Sequence, residues 1–253
     1  MNKNRFFLLL VLLNTLGCRK ETKNQSSSTN NSGSTTTITS SNATKWYGLF
    51  SVDIFHDISQ SSTQIYSTAQ VSFFRLPEQF PGTESTMVDS VVLNGIPMQF
   101  WPFQDSSYVD TAGVSNGIPR TISYPYIFKV SSKNIIIPSF TYTENGPFPD
   151  YTGHTFFPDT INRANGLTVS LSGISGTDYL LVDIITGSKE VSHTIYPPFP
   201  LVNNFTSAEL LQLDTTSYGT IQVILIKNDN KNVNNKPMLF SSGCNYNKHI
   251  IVK

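Results

Sequence analysis

Hydrophobic positions along this chain fall into two unlike regimes. The first is one unbroken apolar run, Phe6 to Leu13 (FFLLLVLL), close to the N-terminus. The second begins at Lys45, where short apolar runs with period-two alternation recur between clusters of Gly, Pro, Asn and Asp. Such alternation predicts half-buried strands. Trp46 to Phe55, Ser67 to Phe74, Met87 to Trp101, Tyr124 to Val130 and the stretch from Ile135 (IIIPSFTYT) all read this way. So do Leu167 to Leu171, Asp178 to Ile185, Val191 to Tyr196, Gly219 to Lys227, Pro237 to Phe240 and His249 to Val252. Asn94-Gly95 sits between apolar runs and predicts a type I′ hairpin, whose two central residues both need positive φ. Gly187-Ser188 predicts another turn. One helical signal interrupts the strands. Thr206-Ser207-Ala208-Glu209 has the spacing of a capping box and predicts a short helix over 207–213.

Strands about every ten residues with one short late helix predict an all-β protein, an antiparallel β-sandwich. The expected division is two β domains, 45–134 and 135–253. The C-terminal domain resembles an immunoglobulin-like sandwich in architecture only, since the Cys…Trp…Cys core of antibody domains is missing.

The N-terminal regime has a different meaning. Lys3 and Arg5 precede the apolar run with no acid among them, and Asn14, Thr15, Leu16, Gly17 and Cys18 follow it. A positive start, a short apolar stretch and a small residue before the cut describe a signal peptide. Eight apolar residues extend about 12 Å as a helix, against a hydrocarbon core of about 30 Å, so the run is too short to span a bilayer. Thr15-Leu16-Gly17-Cys18 resembles the lipobox of bacterial lipoproteins. That resemblance implies removal of residues 1–17 by cleavage between Gly17 and Cys18. It also implies lipidation of Cys18 by a thioether-linked diacylglycerol and an N-acyl chain. Thr15 and Leu16 depart from the commonest residues of the box. Arg19 stands where an Asp would imply inner-membrane retention, so the outer membrane is expected. Cys18-Arg19-Lys20-Glu21 further resembles the surface-export signal of Bacteroidota lipoproteins, with Thr22 in place of a second acid. Both the outer surface and the periplasmic face remain open.

Residues 24–44 are mostly Ser, Thr and Asn, with one large apolar residue, Ile38, and no charge. Such a stretch buries too little apolar surface to offset the entropy of ordering it. Residues 18–44 are therefore expected to be a lipidated cysteine and a flexible tether, with a reach of about 25–30 Å from Arg19 to Thr44.

Composition narrows the chemistry. Charged residues are 13% and aromatics 12% of the chain, a balance that suits pleated, half-buried surfaces. From Lys45 onward there are 12 Lys/Arg against 16 Asp/Glu, with no basic stripe, so nucleic acid is not an expected partner. With Cys18 acylated, Cys244 has no partner in the chain and reads as a passive thiol. No G-x-S-x-G, H-E-x-x-H, P-loop or C-x-x-C occurs, so the chain is expected to be non-enzymatic and to use no cofactor and no metal. His56-Asp57 and Asp150…His154 are the nearest approaches to a ligand pair. Aromatics crowd between Phe100 and Phe157. Trp101, Tyr124, Phe148 and Tyr151 are the candidate ligand-binding residues, able to stack on sugar rings if exposed; the alternative is that the aromatics pack a junction between domains. The expected partners are a membrane, through the lipid, and a glycan or protein ligand. Two other readings stay open: a glycan-binding accessory protein, and a hydrolase with an unrecognised site.

Overall fold

The computed structural model describes residues 36–59, 64–78, 85–101, 107–110, 122 and 124–253. The signal peptide, Gly17, Cys18 and the tether up to residue 35 lie outside the described residues. The strands are β1 (Ile38–Ser40), β2 (Trp46–Asp57), β3 (Gln64–Glu78), β4 (Ser90–Leu93), β5 (Ile96–Pro97), β6 (Gln99–Trp101), β7 (Ser107–Val109), β8 (Tyr126–Ser131) and β9 (Phe140–Glu144). They continue as β10 (Asp150–Tyr151), β11 (Thr160–Ile161), β12 (Leu167–Ser170), β13 (Ile174–Ser175), β14 (Tyr179–Thr186), β15 (Lys189–Ile195) and β16 (Val202–Phe205). One helix, α1 (Ser207–Leu210), precedes the last two strands, β17 (Thr216–Val233) and β18 (Lys236–Val252).

The last two strands form the spine. β17 and β18 pair antiparallel along nearly their whole length and are joined by Asn234-Asn235, both at positive φ (49° and 63°). This is a two-residue hairpin turn whose twist matches the flanking strands. The ten-stranded sheet runs β15-β14-β17-β18-β2-β3-β7-β6, with β1 paired off this path to β17 and β11 to β18. A four-stranded sheet, β5-β4-β8-β9, packs over one half of it. The fold is an all-β sandwich.

Burial alternates with the pleat. Phe50, Val52, Val71, Phe73 and Phe240 turn one way and meet Phe128, Val130 and Phe140 of the smaller sheet in a first core. Further along the same face, Ile221, Val223, Leu225, Leu180 and Val182 meet Tyr151, Phe157, Val169, Phe205 and Leu210 in another core. The spine hairpin thus serves both cores, the tip half facing the first and the base half the second.

Several expectations hold locally. Asn94-Gly95 is a two-residue hairpin turn with φ of 50° and 80°. Gly187, at φ 61°, turns β14 into β15. The capping box is formed: the Thr206 hydroxyl accepts from the Glu209 N–H at 3.3 Å, and the Glu209 carboxylate accepts from the Thr206 N–H at 2.7 Å. α1 seats Leu210 in the second core, and the turn after it seats Leu213. The Thr206 hydroxyl, which also donates to Glu209 Oε2 at 2.7 Å, then the Thr206 N–H and then His193 hold the Glu209 carboxyl at about 2, below its ordinary 4.5. A depressed acid stabilises the fold above its unfolded value and loses that contribution as pH falls. Thr206→Ala is expected to cost about 1 kcal/mol near neutrality, the usual loss for an N-cap. The cost should shrink as pH drops from 4.5 toward 2 in urea titrations.

Other expectations change. The tether does not extend to Thr44: Ile38–Ser40 is a strand paired with Val233–Lys231, and Ile38 packs against the first core. Ile135 begins no strand. Asn134 accepts from the Ile136 N–H through its side chain, and Pro138 follows, so 135–137 turns. Pairing is not wholly antiparallel, since β18 runs parallel to β2 from Met238 to Asn247. The expected boundary at 134/135 falls between β8 and β9, which pair with each other.

Candidate functional site

Tyr124 and Phe148 meet where the two cores adjoin. Phe148 packs against both. Its ring lies 6.1 Å from that of Tyr124 and 5.5 Å from that of Tyr126. Tyr124 is half-buried, and its hydroxyl is buried without a hydrogen-bond partner. The other two candidates lie elsewhere. Trp101 is 48% exposed on β6, opposite Ser107 at the rim of the large sheet. Tyr151 is fully buried in the second core, with its hydroxyl donating to the Ser170 carbonyl. The four rings do not form one exposed line. Two fill the junction between cores, one is core, and one is open to solvent.

The junction also gathers charge that no local pattern announces. β9 brings Tyr142 and Glu144, and β17 brings Lys227, Asp229 and Lys231. The Tyr142 hydroxyl lies 2.7 Å from Glu144 Oε2 and 2.9 Å from Asp229 Oδ2. One phenolic proton therefore faces two carboxylates. Lys227 Nζ reaches Glu144 at 3.3 Å and Lys231 Nζ reaches Asp229 at 2.9 Å. Gly146 N–H donates to Glu144 Oε1 at 2.8 Å. Burial, and then the neighbouring carboxylates, push the Tyr142 hydroxyl far above its ordinary value, so it stays a donor. Each acid has a cation and each lysine an acid, and the Tyr142 ring stacks 3.6 Å from Phe240. This arrangement clamps β9 to the spine and holds a proton. It presents no nucleophile beside a base.

The histidine–acid pairs are spent on packing. His56 and His154 stack on Tyr246, with ring centres 4.4 and 4.7 Å away. Tyr246 donates to Asp150 Oδ1 at 2.6 Å, and His154 Nδ1 lies 2.5 Å from the Tyr151 carbonyl. Burial, then the charge of His154, lowers the His56 pKa, against the pull of Asp150. Asp57 accepts from the Ser59 N–H. Among the described residues no three His, Cys, Asp or Glu side chains gather as a metal would require. Cys244 is buried, and burial pushes its thiol up to about 12.

On the opposite face of the large sheet, Asp53 sits beside Gly243 of β18. A Cβ on Gly243 would lie 2.2 Å from Asp53 Oδ1, so the glycine makes the room the carboxyl occupies. Desolvation raises Asp53 to about 7, partly offset by a hydrogen bond with Ser51. Phe55 and Tyr66 stack nearby at 4.9 Å, with Tyr66 37% exposed.

No protein-family model matches the chain, and the search of curated proteins found no match.

Proposed function

We propose that this chain is a bacterial envelope lipoprotein, anchored through acylated Cys18. Its β-sandwich acts as a non-enzymatic binding or adhesion module at the outer membrane. The observation that carries this reading is the sequence Lys3, Arg5, FFLLLVLL, Gly17-Cys18. It joins a positive start, an apolar run too short to span and a cysteine at the cut. Stable anchoring takes two or more acyl chains, which such a cysteine carries. Among the described residues no helix is long and apolar enough to cross a membrane. Arg19 favours the outer membrane over inner-membrane retention, and Lys20-Glu21 leans toward its outer surface. The test is metabolic labelling with palmitate, with and without globomycin. Wild type should take label and accumulate as precursor under the drug. Cys18→Ala should take no label and stay uncleaved with or without the drug, and unchanged labelling in that variant would refute the anchor.

Glycan recognition is the other reading. Its support is an open Trp101 and the stacked Phe55–Tyr66 pair with Tyr66 at the surface, since flat apolar rings suit the C–H faces of sugars.

A further inference from the structure

We infer that one corner of the sandwich, the loop bearing Ile135 together with Met87, rests in the headgroup zone of the bilayer to which the protein is tethered. The inference builds on the anchor reading above and adds a contact surface and an orientation.

The described chain begins at Thr36, beside the tip of the spine hairpin. The Thr36 hydroxyl donates to the Ser139 carbonyl at 2.9 Å. The Thr37 N–H donates to Asn234 Oδ1 at 2.8 Å, and the Asn234 N–H returns to the Thr37 carbonyl at 2.9 Å. The chain therefore enters at the tip of the spine hairpin. Ser139 also closes the 133–138 loop: its hydroxyl donates to the Ser132 carbonyl and accepts from the Ser132 N–H. The tether entry and this loop share a corner.

That corner carries two exposed apolar side chains. Ile135 is 97% exposed and Met87 is 56% exposed. Asn134, directly before Ile135, donates through its side-chain amide to the Met87 carbonyl at 3.1 Å and to the Thr86 hydroxyl at 2.9 Å. This ties the loop bearing Ile135 to the backbone at Met87. Exposed Lys133 flanks them, and its N–H donates to Asp89 Oδ2 at 2.9 Å. An apolar tip with a flanking lysine has the chemistry of an interfacial wedge.

Reach decides the occupant. Seventeen residues, 19–35, separate Cys18 from Thr36, and a Ser/Thr/Asn-rich chain of that length would span about 20–25 Å root-mean-square as a flexible link. β18 has 17 residues, which extend about 55 Å. The entry corner is therefore within easy reach of lipid, whereas the base of the hairpin is far from it. Tyr218 (80% exposed) and Ile251 (42% exposed) mark that base and face away from the membrane. A link this short also holds the corner at high effective concentration near the bilayer, so a weak insertion is populated.

The test uses the full lipidated chain carrying Cys244→Ala in vesicles of phosphatidylethanolamine and phosphatidylglycerol, so that Ile135→Cys and Tyr218→Cys each supply the one free thiol. Each carries an environment-sensitive fluorophore, and doxyl-labelled lipid is the quencher; both sites are exposed enough to substitute without touching a core. The expected result is several-fold stronger quenching at 135 than at 218. Equal quenching at the two sites in palmitate-labelled protein overturns the docked corner and leaves the anchor standing. Absence of palmitate from the same sample overturns both.

Discussion

Phe50→Ala should lower the stability of the sandwich by about 3–5 kcal/mol, the usual loss for truncating a fully buried aromatic residue. Phe50 is 1% exposed and lies on the face of β2 that both sheets share. Its ring meets four others: Phe73 at 5.5 Å, Phe128 at 5.2 Å, Phe140 at 5.7 Å and Phe240 at 4.5 Å. Three of these pairs are edge-on and one is stacked, the geometries that add attraction beyond area. Phe73 and Phe240 flank it within the large sheet, whereas Phe128 and Phe140 belong to the smaller one. Removing Phe50 therefore loosens the joint between layers as well as leaving a void. Urea unfolding should show a lower midpoint with an unchanged slope. Phe50→Leu, which keeps most of the volume, should lose far less. Equal losses for the two variants would mean that the ring contacts contribute little.

Asp53→Asn should have an effect of similar size and opposite sign above neutrality. The carboxyl has a folded value of about 7 against an ordinary 3.8 because the sheet desolvates it. An acid raised in this way binds its proton more tightly in the folded state. The fold therefore gains stability from Asp53 as pH falls from 7 toward 4, and loses it as pH rises through 7. The difference amounts to roughly 2–4 kcal/mol, allowing for partial exposure. Asn keeps the shape without the charge. At pH 8 the variant should be the more stable protein, and at pH 4 the two should converge. Burial raises Asp183 and Glu190 in the same direction, so only the difference between variant and wild type isolates Asp53. A difference that does not change between pH 4 and 8 would show that Asp53 is already well solvated.

These residues show what can be read from the linear chain and what cannot. Asn94-Gly95, Gly187 and the Thr206–Glu209 box are legible because short-range chemistry alone decides them. Positive φ and a side-chain cap need no distant partner. The spine hairpin is harder to see. Its turn is Asn-Asn, and β18 passes through Ser241-Ser242-Gly243-Cys244-Asn245, a stretch that reads as loop yet is buried. Sheet neighbours on both sides set that burial, and they come from β2 and β17, the first of them far away in the chain. Ile135–Ile137 misleads in the other direction. Three β-branched residues suggest a strand, but Asn134 and Pro138 bend the backbone and leave Ile135 outside both cores. The junction is the least legible feature. Tyr142 and Glu144 meet Asp229 and Lys227 across more than eighty residues, through a pairing order no local pattern reveals. The aromatic cluster is visible as composition, but its division into core, junction and rim depends on that same order.

The central claim is that the mature chain begins at an acylated Cys18. It is tested most directly by mass spectrometry of the N-terminal peptide from protein purified out of membranes. The expected peptide starts at Cys18 and carries the mass of a diacylglyceryl thioether and an amide-linked acyl chain. A peptide that retains Met1, or one that starts beyond residue 18 with no lipid, would contradict it.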